Sequence, residues 1–178
     1  EAYNREPDHY VIARALATFE RSIISGNSPY DQYFFQNKKT ALSFQEIAGM
    51  ELFNSEKTNC FSCHSGFNFS NYSFQNNGLY QEYADMGRFK LTNIETDRAL
   101  FKVPSLRNVG VTGPYMHDGS MKTLKEVVAH YNSGGKNHPH KNEMIKPLNL
   151  TEAEQAALIA FLRSLTDYDF VNNKKFRP

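Results

Sequence analysis

A mainly α-helical domain with long loops is the fold class this sequence predicts, and three observations carry it. Apolar residues recur at helical spacing in four runs: Ile12, Leu16, Phe19 and Ile23; Ile47, Met50 and Phe53; Leu124, Val127, Val128 and Tyr131; and Ala157, Leu158, Phe161, Leu162 and Leu165. Three of these runs follow capping boxes, Ser43 with Glu46, Thr123 with Glu126 and Thr151 with Glu154. In each box a hydroxyl and a carboxylate satisfy backbone N–H groups that a first helical turn leaves unpaired. By contrast, residues 65–99 are rich in Gly, Asn, Ser and aromatic side chains and hold no sustained period.

Pro7-Asp8 opens the first helix, with Asp8 as its cap, and Gly26-Asn27-Ser28-Pro29 stops it. A short aromatic turn from Tyr30 to Phe35 follows. The second helix begins after Ser43, with Leu42 placed to staple onto Ile47. It ends near Phe53-Asn54, and a short link leads to Asn59. Ser65 to Ala99 reads as loop with one short hairpin, and a loop of that length in a compact domain is usually functional. Phe101 to Asn108 is extended, because a residue preceding proline is held away from the helical region. Thr112-Gly113-Pro114-Tyr115 is a turn. The Thr123 helix ends at Gly134-Gly135, and the last helix leaves a frayed tail after Asp167. The first and last helices both carry apolar stripes, and the expected closure packs one across the other.

At 178 residues the chain makes one domain, residues 1–178. A chain of this size buries about 70% of the surface its unfolded form exposes. A formal charge of +1 gives no electrostatic case for nucleic acid. The sequence has no apolar run long enough for a membrane span.

Both cysteines fall in one pentapeptide, Cys60-Phe61-Ser62-Cys63-His64. C-x-x-C-H is the attachment pattern of haem c. One helical turn apart, the thiols face the same side and reach the two vinyl groups of one porphyrin. His64 is then placed to give the iron its proximal imidazole. A dithiol redox site is disfavoured, since no βαβ pattern surrounds the motif. Zinc would want a second cysteine pair, and a Cys60–Cys63 disulfide closes too short a loop to stabilise much.

Around the haem, Phe67, Phe69, Tyr72, Phe74, Tyr80 and Tyr83 are available as porphyrin walls, although any one of them reads more simply as ordinary core. Residue types leave the sixth ligand open between the thioethers of Met116, Met121 and Met144 and the imidazole of His130. Arg88 and Arg107 suit haem propionates, because a guanidinium meets a carboxylate bidentately. His117-Asp118 reads as a brace of the loop over the haem, and His138-Pro139-His140 as an exposed loop. Covalent haem attachment takes place outside the cytoplasm. Glu1-Ala2-Tyr3-Asn4-Arg5 is not a signal peptide, so a periplasmic, exported protein with its leader removed is expected.

Longer stretches carry a resemblance. Asp85-Met86-Gly87-Arg88, Phe101-Lys102-Val103-Pro104-Ser105-Leu106-Arg107-Asn108-Val109, Gly113-Pro114-Tyr115-Met116-His117-Asp118-Gly119-Ser120, Thr123-Leu124 and His130-Tyr131-Asn132-Ser133-Gly134-Gly135 follow one another along the chain. Before them come Ala15-Leu16-Ala17-Thr18-Phe19-Glu20-Arg21-Ser22 and Asn27-Ser28-Pro29-Tyr30-Asp31. In this order they resemble the second haem domain of bacterial di-haem cytochrome c peroxidases and MauG proteins. The resemblance implies a cytochrome c-like helical haem domain beside another haem domain, where hydrogen peroxide is cleaved, with calcium bound between the two. This chain has a single C-x-x-C-H and no Trp, so it cannot itself supply a second haem or a Trp relay.

The same resemblance implies a distal ligand. In the peroxidases a Met stands seventeen residues after the Pro of P-Y-x-H-D-G; counted from Pro114 that position is Tyr131, and the MauG-like branch has a ligand Tyr there. A phenolate favours oxidised iron and a thioether reduced iron, and axial ligands move haem potentials over about 0.8 V. Thr112 and Pro114 match positions whose carbonyls contribute to the family's calcium site. With the neighbouring domain missing, weak or no calcium binding is expected.

The reading is therefore an electron-transfer haem c domain of a di-haem peroxidase or a MauG-like oxidase. A small redox protein would be its donor, and a second haem domain or subunit its acceptor. The alternative is a stand-alone monohaem electron carrier without catalysis. A metal-stabilised binding module without haem is a third reading.

Overall fold

The computed structural model describes residues 4–176; Glu1 to Tyr3, part of the segment read above for a leader, and Arg177-Pro178 lie outside them. In chain order the elements are α1 (His9–Ser22), α2 (Pro29–Phe34), α3 (Phe44–Phe53), α4 (Cys60–Cys63), β1 (Phe74–Gln75), α5 (Phe89–Thr92), β2 (Phe101–Lys102), α6 (Leu124–Ser133), α7 (Glu152–Ser164) and α8 (Tyr168–Val171), with three short 3-10 turns. Helices dominate, and the one sheet is the antiparallel pair of β1 and β2, registered Phe74 to Lys102 and Gln75 to Phe101. The hairpin expected inside 65–99 is thus a longer-range pairing with the segment before Pro104.

The three S/T-x-x-E boxes all form, at Ser43, Thr123 and Thr151. A fourth box opens α2, where Ser28 and Asp31 cap each other and Pro29 takes the first helical position. The aromatic segment expected as a turn is therefore a short helix; an Asp in the third position does the work of the Glu in the other boxes.

The closure differs from expectation. Asp8 caps α1 by accepting from the Val11 N–H at 2.8 Å, and of that helix only Val11 is buried. Its stripe faces outward, with Ile12, Leu16 and Phe19 more than half exposed. The helix that α7 packs against most extensively is α3. The reason is Gly49: a β-carbon there would lie 2.0 Å from the Ala157 carbonyl oxygen, so the two backbones touch where only hydrogen fits.

Gly49→Ala gains about 1 kcal/mol of helix propensity, but backbone overlap forces α3 and α7 apart. We expect a net loss of about 1–3 kcal/mol. It would be read as a lower denaturation midpoint at unchanged denaturant dependence.

Around this helix pair lies the core: Phe53, Phe69, Val109, Leu124, Val128, Leu150, Leu158, Phe161, Leu162 and Leu165. Phe161 is wholly buried and meets Phe53 at 5.1 Å and Tyr30 at 5.8 Å between ring centres. Among the described residues, the start of the tail expected to fray after Asp167 is anchored. Asp167 caps α8 through the Phe170 N–H at 3.0 Å, and its other oxygen accepts from the N–H groups of Gly26 and Asn27 at 3.0 and 2.9 Å.

Candidate haem site

The pentapeptide forms a single helical turn, α4. Asn59 enters it in the left-handed conformation, and the His64 N–H closes it on the Cys60 carbonyl at 2.9 Å. The turn places Cys60, Cys63 and His64 on the wall of one cavity of about 450 Å³, within the size range of cofactor sites. Both cysteines are free thiols, and burial pushes both thiol pKa values up.

His64 is held in one tautomer. Its Nδ1 lies 2.9 Å from the Phe69 carbonyl oxygen, which can only accept, so Nδ1 carries the ring hydrogen and Nε2 keeps its lone pair. This carbonyl fixes tautomer and ring orientation, as the outer partner of a metal-bound imidazole does. Burial pushes the imidazole pKa below its ordinary value, against the carbonyls of Phe69 and Pro104. The ring is neutral at neutral pH, the form that ligates.

The wall opposite in sequence comes from α3, α6 and α7 and is apolar: Phe53, Leu124, Val127, Val128, Leu158 and Leu162, with Val109, Leu148 and Leu150 from connecting segments. Polar groups on the lining come from dispersed loops, among them Gln75, Asn77, Lys102, Ser105, Asn142 and Lys146. None of these was legible in the sequence, because they come from three separate stretches, 75–77, 102–105 and 142–146, that no spacing links. An apolar slot carrying two free thiols, an oriented imidazole and scattered polar groups fits a covalently attached porphyrin.

Of the ligand candidates on the other side, Met116, Met144 and Tyr131 line the cavity. His130 and Met121 are not part of the lining. His130 Nε2 faces the Asn77 carbonyl at 3.0 Å, and Met121 is bridged by its backbone to Tyr115. Burial pushes the Tyr131 phenol pKa up; the Asn77 side chain, 3.5 Å from the phenol oxygen, works against this.

The structure corrects the propionate assignment. Neither arginine lines the cavity. Arg107 forms a buried bidentate pair with Asp31, at 2.9 and 3.0 Å, and its Nε donates to the Phe67 carbonyl at 2.7 Å. Its guanidinium also lies 3.7 Å from the centre of the Phe67 ring. Arg88 pairs with Asp97 at 3.0 Å and lies over the Phe74 ring.

The six aromatic residues considered as porphyrin walls are likewise off the lining; their loop contributes Gln75, Asn76 and Asn77 instead. Phe69 joins the core. His117 does line the cavity and stacks on Phe101 at 3.8 Å, while Asp118 accepts from the Tyr80 hydroxyl at 2.7 Å and is held down to a pKa of about 2. His138 and His140 are tied to each other's loop, His140 through its N–H to His138 Nδ1 at 3.1 Å. Thr112 and Pro114 border the cavity, and the Gly113–Pro114 bond is cis. Among the described residues no group of three or more His, Cys, Asp or Glu side chains is placed to hold a metal ion, and no helix is long and apolar enough to cross a membrane.

Residues 46–166 match the cytochrome c family. The chain belongs to that family. Within it, the methylamine utilization protein MauG of Methylorubrum extorquens is 37% identical over 156 residues, covering 86% of this chain and 43% of the relative. Cytochrome c551 peroxidase of Nitrosomonas europaea is 32% identical over 159 residues, covering 87% and 44%. A crystal structure described as a MauG-like protein associated with microbial copper homeostasis superposes with a TM-score of 0.86 at 32% identity, over 97% of this chain and 57% of that one. The diheme peroxidase BthA from Burkholderia thailandensis gives 0.64 at 25% identity, over 81% and 47%. This cytochrome c chain is thus a haem c domain of the MauG and di-haem peroxidase type, and it spans about half the length of the curated relatives it matches.

Proposed function

We propose that this domain carries one covalent haem c and relays electrons within a di-haem peroxidase or MauG-like assembly. The observation that carries the reading is the convergence of both thiols, the oriented His64 imidazole and the Tyr131 phenol on one apolar cavity. Cys60 and Cys63 would form the thioether links, His64 Nε2 the proximal bond and the Tyr131 oxygen the distal one. Lys102 and Lys146, which are on the lining, would take the propionate role first expected of Arg88 and Arg107. The haem, once bound, supplies a one-electron couple. A hard anionic phenolate at its distal face would favour the oxidised state, which leans toward MauG-like use.

Reducing equivalents would come from a small redox protein. A second haem domain or subunit would receive them, and there hydrogen peroxide is reduced or another substrate oxidised. The carbonyls of Thr112 and Pro114 would contribute to a calcium site shared with that domain. Attachment chemistry of this kind, which takes place outside the cytoplasm, supports a periplasmic location.

Tyr131→Phe tests the centre of the proposal. It keeps the ring and its packing but removes the oxygen. The haem should stay attached and the ferric visible spectrum should change to that of an open or differently ligated iron. An unchanged ferric spectrum would take Tyr131 out of the coordination sphere.

A further inference from the structure

The carboxamide of Asn77 points into the cavity from the loop after β1, and its placement is over-determined. Its Oδ1 faces the Leu79 N–H at 3.2 Å. A backbone N–H only donates, so this contact identifies the oxygen end and sends the NH2 end the other way. There Nδ2 lies 3.5 Å from the Tyr131 oxygen and 3.3 Å from the Met116 sulfur. An amide NH2 has two hydrogens, one for each of these atoms.

The backbone around Asn77 is pinned as firmly. Its carbonyl faces His130 Nε2 at 3.0 Å, from the residue preceding Tyr131 on α6. The neighbouring Asn76 is wholly buried, with its amide on the Ala99 carbonyl at 2.9 Å. Gly78 takes a φ of +67° and accepts the Lys136 N–H at 2.6 Å, just beyond the end of α6. Loop and helix are thereby locked together, so the amide does not drift from the phenol.

We propose that Asn77 is the positioning residue for the distal side of this site: one N–H sets the donor strength of the Tyr131 oxygen and the other holds the Met116 sulfur aside. The proposal rests on Tyr131 being the distal ligand. A hydrogen bond donated to a ligating oxygen draws charge from it and weakens its donation to a metal, one of the ways in which outer partners tune a metal site. The second N–H gives Met116 a partner, so the thioether, which shares that donor group with the phenol, does not compete for the same face.

The test is a pair of variants in the haem-loaded protein. Asn77→Leu keeps the approximate size and deletes the donor; Asn77→Ser restores a hydroxyl donor and guards against a variant that simply folds poorly. Asn77→Leu should move the haem midpoint potential to more negative values and shift the ferric phenolate-to-iron charge-transfer band to longer wavelength. Asn77→Ser should bring both partly back. In a Tyr131→Phe background, Asn77→Leu should leave the potential where Tyr131→Phe alone puts it.

Two results overturn the proposal by itself: a wild-type potential and band in Asn77→Leu although Tyr131→Phe alters the spectrum, or the same shift with and without the phenol. If Tyr131→Phe leaves the ferric spectrum unchanged, the ligand assignment fails first and the role of Asn77 falls with it.

Discussion

With Cys60 and Cys63 both changed to serine, the protein is expected to retain no haem after acid–acetone extraction, whereas the parent keeps its full complement. The chemistry is specific to sulfur: a thiol adds across a vinyl group, and a serine hydroxyl at the same place does not. The substitutions are close to isosteric, and Cys60 and Cys63 sit on a one-turn helix closed by backbone contacts that the change leaves alone. A pyridine haemochrome spectrum counts covalent haem directly. The single variants should each keep one thioether link and give an altered band position, and the double variant none. Full covalent haem in the double variant would contradict the attachment assigned to this turn.

The second large effect concerns Arg107, which the sequence reading placed at the haem and which the structure pairs with Asp31. In Arg107→Met, the Asp31 carboxylate remains buried, 1% exposed at the side chain, without its bidentate partner. Breaking one side of a buried ion pair costs about 3–5 kcal/mol, because the other charge is left uncompensated. The loss would be read as a lower denaturation midpoint at neutral pH. The double change Asp31→Asn with Arg107→Met should recover part of it.

This loss depends on pH. Burial works to raise the Asp31 pKa, but the hydrogen bonds from Arg107 and Ser28 outweigh it and hold the carboxyl below its ordinary value. A depressed folded-state pKa contributes stability above the unfolded value and loses it as pH falls through the folded value. In Arg107→Met the lowering by the guanidinium is lost while burial and the Ser28 hydrogen bonds stay, so the pKa moves up from its value in the parent, and acidification relieves the buried charge. The gap between parent and variant is therefore widest at neutral pH and narrows towards acid. A gap that stays constant from pH 7 to below 4 would count against the pair as the source of the loss.

Much of the site was legible because its attachment chemistry is local. Cys60, Cys63 and His64 are fixed relative to one another by a single turn, so spacing alone specifies their geometry. The capping boxes at Ser43, Thr123 and Thr151 were legible for the same reason, as was Asp8, since each involves residues three apart. The box at Ser28 carried an equally local signal in its Asp31, but its aromatic surroundings read as a turn. Tyr131 came from resemblance rather than from spacing, and it stands on the cavity wall together with Met116 and Met144.

What went astray was non-local. Arg107 has the right chemistry for a propionate, but its partner Asp31 lies 76 positions earlier in the chain. The apolar stripe of α1 is real, yet it stays exposed, because α7 finds in Gly49 of α3 a surface that permits backbone contact.

The residues by themselves determined the helical class, the thiol and imidazole set and the helix starts, since those depend on interactions within one or two turns. Only the tertiary structure decided which helices touch, which arginines are already paired, and that Asn77 meets Tyr131 and Met116. Those contacts join segments tens of residues apart, and their partners are chosen by shape and by competition for the same donors, which no periodicity in one dimension records.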